Sequence, residues 1–378
     1  MEKENDFTRR EFLSSSISAL CGLSLGSAVF AENIVALPLS DKRFIKKARY
    51  FKKLPEKKVE CTLCPRGCKV ADLERGYCGC RENHNGTYYT LVYSRACAVH
   101  IDPIEKKPLF HFRPGTRALS FATAGCNIEC KFCQNWNISQ FRPEQIKALY
   151  ITPRKMVEIA KINNTPIIAY TYTEPVIFYE YMYDTAARGK EEGIESVMIS
   201  NGYIKREPMR ALTKVLSAVK IDLKAFTEKF YRDVCHGELK PVLDTLLLLK
   251  EVGIWYEIVV LLIPTLNDGE KEIDAMSKWI KKNLGADVPV HFSRFFPTYK
   301  MTNLPPTPVA TLERARKIAM SNGLHFVYVG NVPGHPGENT YCPGCGKVLI
   351  RRIGFKVLEN NIKRGKCKFC GRKIPGRW

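Results

Sequence analysis

The sequence is poor in the features of fibres, disordered tails and membrane spans. Its 378 residues contain no low-complexity tract and no internal repeat, which argues against repeat architectures and fits an ordinary globular composition. Beyond the first forty residues no apolar run is long enough to cross a bilayer, so the mature chain reads as soluble. Acidic residues are few against basic ones, 38 against 59, for a formal net charge of +21. That excess is local: residues 41–58 and 342–378 are densely basic, and the latter stretch has Glu359 as its one acid. A basic linker and tail could meet an acidic partner, a membrane surface or nucleic acid, or simply form a solvated face. No nucleic-acid-binding motif accompanies them, so nucleic acid is not the expected partner.

What the chain has in excess is cysteine, fifteen in all. The residues fall into groups with C-x2-C spacings, and the total is odd. Both facts suit metal binding better than disulfides and imply reducing chemistry.

The most informative group is Cys126, Cys130 and Cys133, a C-x3-C-x2-C run with Phe132 before its last member. Three thiolates this close can hold three irons of a cubane cluster. The fourth iron then has no protein ligand, whereas electron-transfer clusters usually have four cysteines. An open position is where a substrate or cofactor binds. The alternatives are a zinc knuckle with a borrowed fourth ligand, or buried thiols.

The tail holds Cys342, Cys345, Cys367 and Cys370, two C-x2-C knuckles at the spacing of a four-cysteine zinc ribbon. Near the other end, Cys61, Cys64, Cys68 and Cys78 could close a second four-thiolate site. Spacing does not separate zinc from an auxiliary Fe–S cluster there, and structural metal is the simpler reading. Cys97 and His100 could reach that site from an adjoining loop. Cys235-His236 reads as a structural pair.

The first forty residues resemble a twin-arginine export signal: Thr8-Arg9-Arg10-Glu11-Phe12-Leu13, an apolar stretch from Ile17 to Phe30, and Val29 and Ala31 at plausible cleavage positions. The alternative is an uncleaved helix or a start site placed too early. A leader of this kind suggests export, whereas the supply of reduced cofactors suggests the cytoplasm.

From Arg117 onward, apolar β-branched runs alternate with amphipathic ones. The pattern predicts strands at 118–123, 166–170, 194–200, 219–223, 255–263, 288–292 and 325–329. Helices are expected at 153–163, 177–192, 207–215, 241–252, 271–283 and 311–322, with Thr152 as a cap and Gly193, Gly253 and Gly323 at helix ends. Such alternation means a parallel sheet. Reactive residues follow six successive strands: the cysteine trio, then Thr173 and Glu174, Ser200 and Asn201, Asp222 and Lys224, Pro264 to Asp268, and His291 and Arg294. In (β/α) barrels chemistry gathers at the C-terminal strand ends. The expected organisation is a leader at 1–40, a basic linker and Cys-rich unit at 41–116 whose last part is a connector, a barrel at 117–330, and a zinc-ribbon tail at 331–378.

This layout and the trio resemble the radical S-adenosylmethionine superfamily, whose fold is a partial (β/α)6 TIM-like barrel. The runs Tyr93–His100, Ile101–Phe112, Gly125–Gln140 and Gly371–Trp378 narrow the resemblance to the radical enzyme of the AmmeMemoRadiSam group, related to pyruvate formate-lyase activating enzymes. The resemblance implies a 4Fe-4S cluster on Cys126, Cys130 and Cys133, chelation of S-adenosylmethionine by the open iron, and its reductive cleavage to a 5′-deoxyadenosyl radical that abstracts hydrogen from a substrate. It matches Thr173 and Glu174 to the turn that holds the methionyl amino group, although the family's double glycine is missing. It matches Ser200 and Asn201 to ribose or carboxylate contacts, Asp222 and Lys224 to a polar pair, and Val260 to Pro264 to the adenine neighbourhood. His291 and Arg294 are candidates for substrate-side contacts. An electron donor and Memo-like and AMMECR-type proteins become partner candidates, with a protein or small molecule as substrate. The competing reading is a zinc-binding interaction module gripping a protein or nucleic acid through its basic tail.

Overall fold

The computed structural model describes residues 41–378. The twin-arginine-like leader and Cys21 lie outside the described residues.

The centre of the molecule is one eight-stranded sheet whose spatial order follows the chain. Its strands are β1 (Ala98–Pro103), β2 (Arg117–Ala122), β3 (Ile167–Tyr170), β4 (Glu195–Ser200), β5 (Ala218–Asp222), β6 (Trp255–Leu262), β7 (Val290–Arg294) and β8 (Val327–Gly330). Strands β2 to β8 pair in parallel, and β1 runs antiparallel along β2. Six longer helices connect the parallel strands: α1 (Pro153–Ile162), α2 (Tyr179–Glu191), α3 (Arg206–Leu212), α4 (Leu239–Val252), α5 (Glu270–Asn283) and α6 (Val309–Ser321). Strands β1 and β8 are not paired with each other, so the barrel is partial. This is the expected (β/α)6 TIM-like architecture.

Local chemistry explains the element ends. Thr152 Oγ1 accepts from Lys155 N at 3.2 Å, satisfying an orphan donor of the first turn of α1. Gly253 closes α4 at φ 72°, where a side chain would be strained. Along the strands, side chains alternate between two apolar layers. Leu119, Ile168, Met198, Val219 and Ile258 pack beneath the helices. Ala118, Ala169, Val197 and Ala218 face inward, where Ile104, Leu109 and Phe112 fill the barrel. The stretch 98–116 is therefore more than a connector. It supplies the edge strand β1 and an apolar plug, and its Pro and Gly residues hid both from a periodicity reading.

The Cys-rich unit forms two small antiparallel sheets. Val59, Cys61, Val70 and Tyr88 join the same buried cluster as Phe121 and Tyr179 of the barrel. Arg81 and Glu180 of α2, both almost fully buried, form an ion pair across this contact. The tail folds as a hairpin, Val348–Ile353 with Lys356–Asn360. Its Cys342, Leu349, Ile350 and Cys367 pack on Phe110, Phe326 and Tyr328, covering the N-terminal end of the barrel. No helix among the described residues is long and apolar enough to cross a membrane.

Candidate active site

The loop after β2 carries the trio. Gly125 sits at φ 99°, and a Cβ there would lie 2.2 Å from Cys80 Sγ and 3.1 Å from the Cys78 carbonyl oxygen. Only glycine allows this approach, which seats the Cys-rich unit directly against the cysteine loop. The loop is fixed at several points. Glu129 N donates to Cys235 O at 2.9 Å, Lys131 N to Val234 O at 3.0 Å, and Lys300 N to Lys131 O at 3.0 Å. Cys133 Sγ lies 3.1 Å from Ser139 Oγ. Burial pushes the Cys126 and Cys133 thiols up. A hydrogen bond with the Cys235 thiol, together with burial, does the same for Cys130. Thiolates in such a place require cationic iron or another metal as counter-charge.

The next strand end turns sharply. Tyr172 adopts φ 66°, an uncommon conformation for a bulky residue, and Asn135 Nδ2 holds its carbonyl at 2.7 Å. Thr173 Oγ1 donates to Thr123 O at 2.7 Å, fastening the β3 turn to the end of β2. Glu174 follows, buried. Its carboxylate accepts from Val176 N at 3.0 Å, Ser200 Oγ at 2.7 Å and Asn201 N at 2.8 Å. Burial outweighs these donors and raises its pKa to about 7. Asn201 Nδ2 donates to Asn127 Oδ1 at 2.9 Å and lies 3.9 Å from Cys126 Sγ. Cys126, Glu174, Ser200 and Asn201 thus share one network, as their positions after successive strands suggest.

Asp222 ends β5 between two lysines. Lys224 Nζ is 3.0 Å from its carboxylate, and the inward-facing Lys220 pairs with it from below. Burial alone would raise the Asp222 carboxyl, but these two ammoniums bring it down to about 2. Lys224 Nζ stands 6.0 Å from the Phe132 ring centroid, facing the cysteine loop. Arg294 ends β7, where its Nε donates to Thr307 O at 2.8 Å.

His291 is not part of this face. It is the second residue of β7, buried in the lower half of the barrel, with Nε2 2.8 Å from the Glu257 carboxylate. Glu257 also accepts from Phe110 N at 2.9 Å and His111 N at 2.7 Å. The expected substrate-side role is corrected to a structural one: strand register places His291 three residues before the strand end, under the plug. The Val260–Pro264 stretch also divides, since Val260 and Leu262 pack beneath the helices.

Asn127, Ser139 and Lys220 were missed by sequence reasoning, which read Cys235 as structural. Asn127 and Ser139 flank the trio closely enough for loop proximity to have suggested them. Lys220 could have been found from its inward register two residues before Asp222. Nothing in the sequence brings Cys235 to Cys130.

The two flanking cysteine groups differ. In the tail, Cys342 and Cys370 sulfurs lie 3.6 Å apart and those of Cys345 and Cys367 3.8 Å apart. All four ligand atoms fall within 4.8 Å of one another, the one such group among the described residues. Four metal–sulfur bonds of about 2.3 Å in a tetrahedron span edges of about 3.8 Å, so this site fits a single ion. Cys61, Cys64, Cys68 and Cys78 instead line one cavity. Cys97 is not among its lining residues; its N–H pairs with Ala122 O at 2.8 Å.

A partial parallel barrel with three cysteines after its first parallel strand, and polar residues at the ends of the next three, defines an enzyme of S-adenosylmethionine-dependent radical chemistry. The family model of the radical SAM superfamily matches residues 121–277, and the chain belongs to that superfamily. The family's cofactors are a 4Fe-4S cluster and S-adenosylmethionine. Among relatives, the chain is 48% identical over 332 residues to the uncharacterized protein MJ0808 of Methanocaldococcus jannaschii, covering 87% of this chain and 99% of that one. Among solved structures it is similar to a radical SAM methyltransferase from Sphaerobacter thermophilus (TM-score 0.46, 16% identity, 60% of this chain and 71% of that one). It is also similar to a domain of the pyruvate-formate lyase-activating enzyme from Bacteroides vulgatus (TM-score 0.39, 17% identity, 43% of this chain and 98% of that one).

Proposed function

We propose that Cys126, Cys130 and Cys133 hold the 4Fe-4S cluster, that Thr173, Glu174, Ser200, Asn201, Asp222 and Lys224 surround S-adenosylmethionine, and that the reaction is hydrogen abstraction from a protein or protein-associated substrate. The observation that carries this reading is the single network joining Cys126 to Glu174, Ser200 and Asn201. When bound, the cofactor pair supplies a 5′-deoxyadenosyl radical by one-electron reductive cleavage of the sulfonium.

The chain's own residues do the rest. Glu174 presents a carboxylate already oriented by three donors, suited to accept from the methionyl amino group of S-adenosylmethionine. Asn201 couples that carboxylate to the cysteine loop. Lys224, paired with Asp222, puts positive charge beside the thiolates. The Ile104–Phe112 plug closes the barrel from below, leaving the strand-end face as the way in. Zinc is the ion we assign to the tail quartet, as a closed structural site. Membership of the AmmeMemoRadiSam group is part of the proposal. A low-potential electron donor and Memo-like and AMMECR-type proteins are then the partners, and an activase-like reaction on one of them is the form to test first.

The deciding experiment is anaerobic reconstitution followed by reduction with dithionite and a 5′-deoxyadenosine assay. Intact protein should contain iron and sulfide and form 5′-deoxyadenosine. Cys126→Ala, Cys130→Ala and Cys133→Ala should each abolish it. Zinc without iron or sulfide would overturn the proposal in favour of a metal-stabilised interaction module.

A further inference from the structure

We infer that Cys61, Cys64, Cys68 and Cys78 hold a second iron–sulfur cluster of the four-iron type, ligated by all four thiolates. This goes beyond the function proposed above and contrasts with structural metal, the simpler of the two readings that spacing leaves open. Three observations carry it.

The first is an internal comparison. The tail quartet brings its four sulfurs within 4.8 Å of one another, as ligands of one ion must. Among the described residues, neither the Cys61 quartet nor the Cys126 trio meets that criterion. Thiolates that each bind a different iron stand further apart than thiolates sharing one ion. The Cys61 quartet is therefore too spread for one ion, unlike the tail.

The second is the space between them. All four cysteines line a single small recess, with Arg66, Tyr77, Arg81, Tyr88 and Asn127 among the other walls, so their side chains converge on one place without closing on one point.

The third is an orphaned donor. Arg81 lines this recess and is 1% exposed. Two of its nitrogens bind Glu180, but its buried Nε has no hydrogen-bond partner. A buried unpaired N–H is costly. The bridging sulfides of a cluster are acceptors of the kind it lacks, and hydrogen bonds to cluster sulfur are a recognised means of setting potential.

Position gives the site its role. Asn127 belongs to the wall of this recess and directly follows Cys126. Arg66, between Cys64 and Cys68, donates from Nε to Asn127 O at 3.0 Å. With every iron coordinated by protein, the second cluster has no position for a substrate. It takes one electron from a low-potential one-electron carrier protein and passes one electron to the barrel cluster. This relay role rests on the proposed function, whereas the site itself does not.

The test is anaerobic iron, sulfide and zinc analysis of full-length variants, with electron paramagnetic resonance after reduction. Wild type should hold about eight irons and eight sulfides, and the Cys126→Ala/Cys130→Ala/Cys133→Ala variant about four of each. That variant leaves the Cys-rich unit intact, and its remaining signal should not respond to S-adenosylmethionine. Cys61→Ser/Cys64→Ser should also retain about four irons, with a signal that does respond. Wild type with about four irons and two zincs, or a barrel-cysteine variant devoid of iron, would overturn the inference. Failure of the proposed function looks different: two clusters present but no 5′-deoxyadenosine formed.

Discussion

The backbone N–H of Asn201 donates to the Glu174 carboxylate at 2.8 Å, tying the end of β4 to the turn after β3. The same asparagine reaches Asn127 beside Cys126 with its side chain. Replacing Glu174 by Gln removes the charge but keeps the shape. S-adenosylmethionine affinity should fall about 10- to 100-fold, the equivalent of one charge-assisted hydrogen bond. Because burial raises Glu174 to about 7, the carboxylate that accepts from the amino group is fully available only above that pH. Wild-type affinity, measured by calorimetry on reconstituted protein, should rise from pH 6 to 8, and that of Glu174→Gln should stay flat.

Gly125→Ala tests the seating of the Cys-rich unit. The new Cβ meets Cys80 Sγ at 2.2 Å in a backbone conformation at φ 99°. Destabilisation on the order of 2 kcal/mol or more is expected, with iron content falling in parallel. A variant with wild-type thermal stability and iron content would contradict the packing described here.

Cys235 stands beside Cys130 as a hydrogen-bonding thiol. Cys235→Ala should leave iron stoichiometry unchanged and shift the barrel cluster's reduction potential, since hydrogen bonds to ligand sulfur tune it. Potentiometric titration reads the shift. Loss of iron would instead make Cys235 a ligand.

His111 provides a pH-dependent test of the barrel's lower end. Its Nε2 lies 2.6 Å from Tyr328 Oη and its Nδ1 2.7 Å from Pro375 O. Burial lowers its pKa to about 4, below the ordinary 6.5. Protonation therefore favours the unfolded chain. This contribution is complete above pH 6.5 and is lost as pH falls toward 4, by on the order of 3 kcal/mol. Urea midpoints should drop between pH 7 and 5, with metal content followed in parallel, and a flat midpoint would refute the assignment.

Metal removal tests the tail. Cys342 and Cys367 sit in the apolar cluster with Phe110 and Tyr328. Cys342→Ser should therefore lose one metal ion per chain and several degrees of Tm, with the barrel's lower end loosened. Proteolysis near the C-terminus should report it before activity does.

Much of this architecture can be read from the chain because its signals are local. Helix periodicity, Thr152 as a cap and the glycines at helix ends follow from backbone chemistry within a few residues. The trio and the tail knuckles declare themselves by spacing. Glu174, Ser200 and Asn201 were identifiable because each lies at or shortly after a strand end, and parallel strands bring their ends to one face. His291 was misplaced because the strand was expected to end at 292, two residues before its actual end at Arg294, which turns an interior layer into a strand end.

Tertiary structure decided what spacing leaves open. Strand register put His291 with Glu257 beneath the plug, and the fold brought Cys235 to Cys130 across a hundred residues of chain. It also drew the tail sulfurs together while leaving the Cys61 set spread around a recess. C-x2-C spacing says that thiolates can converge. How far apart they finally stand, and so whether they suit one ion or several, depends on packing between segments distant in sequence.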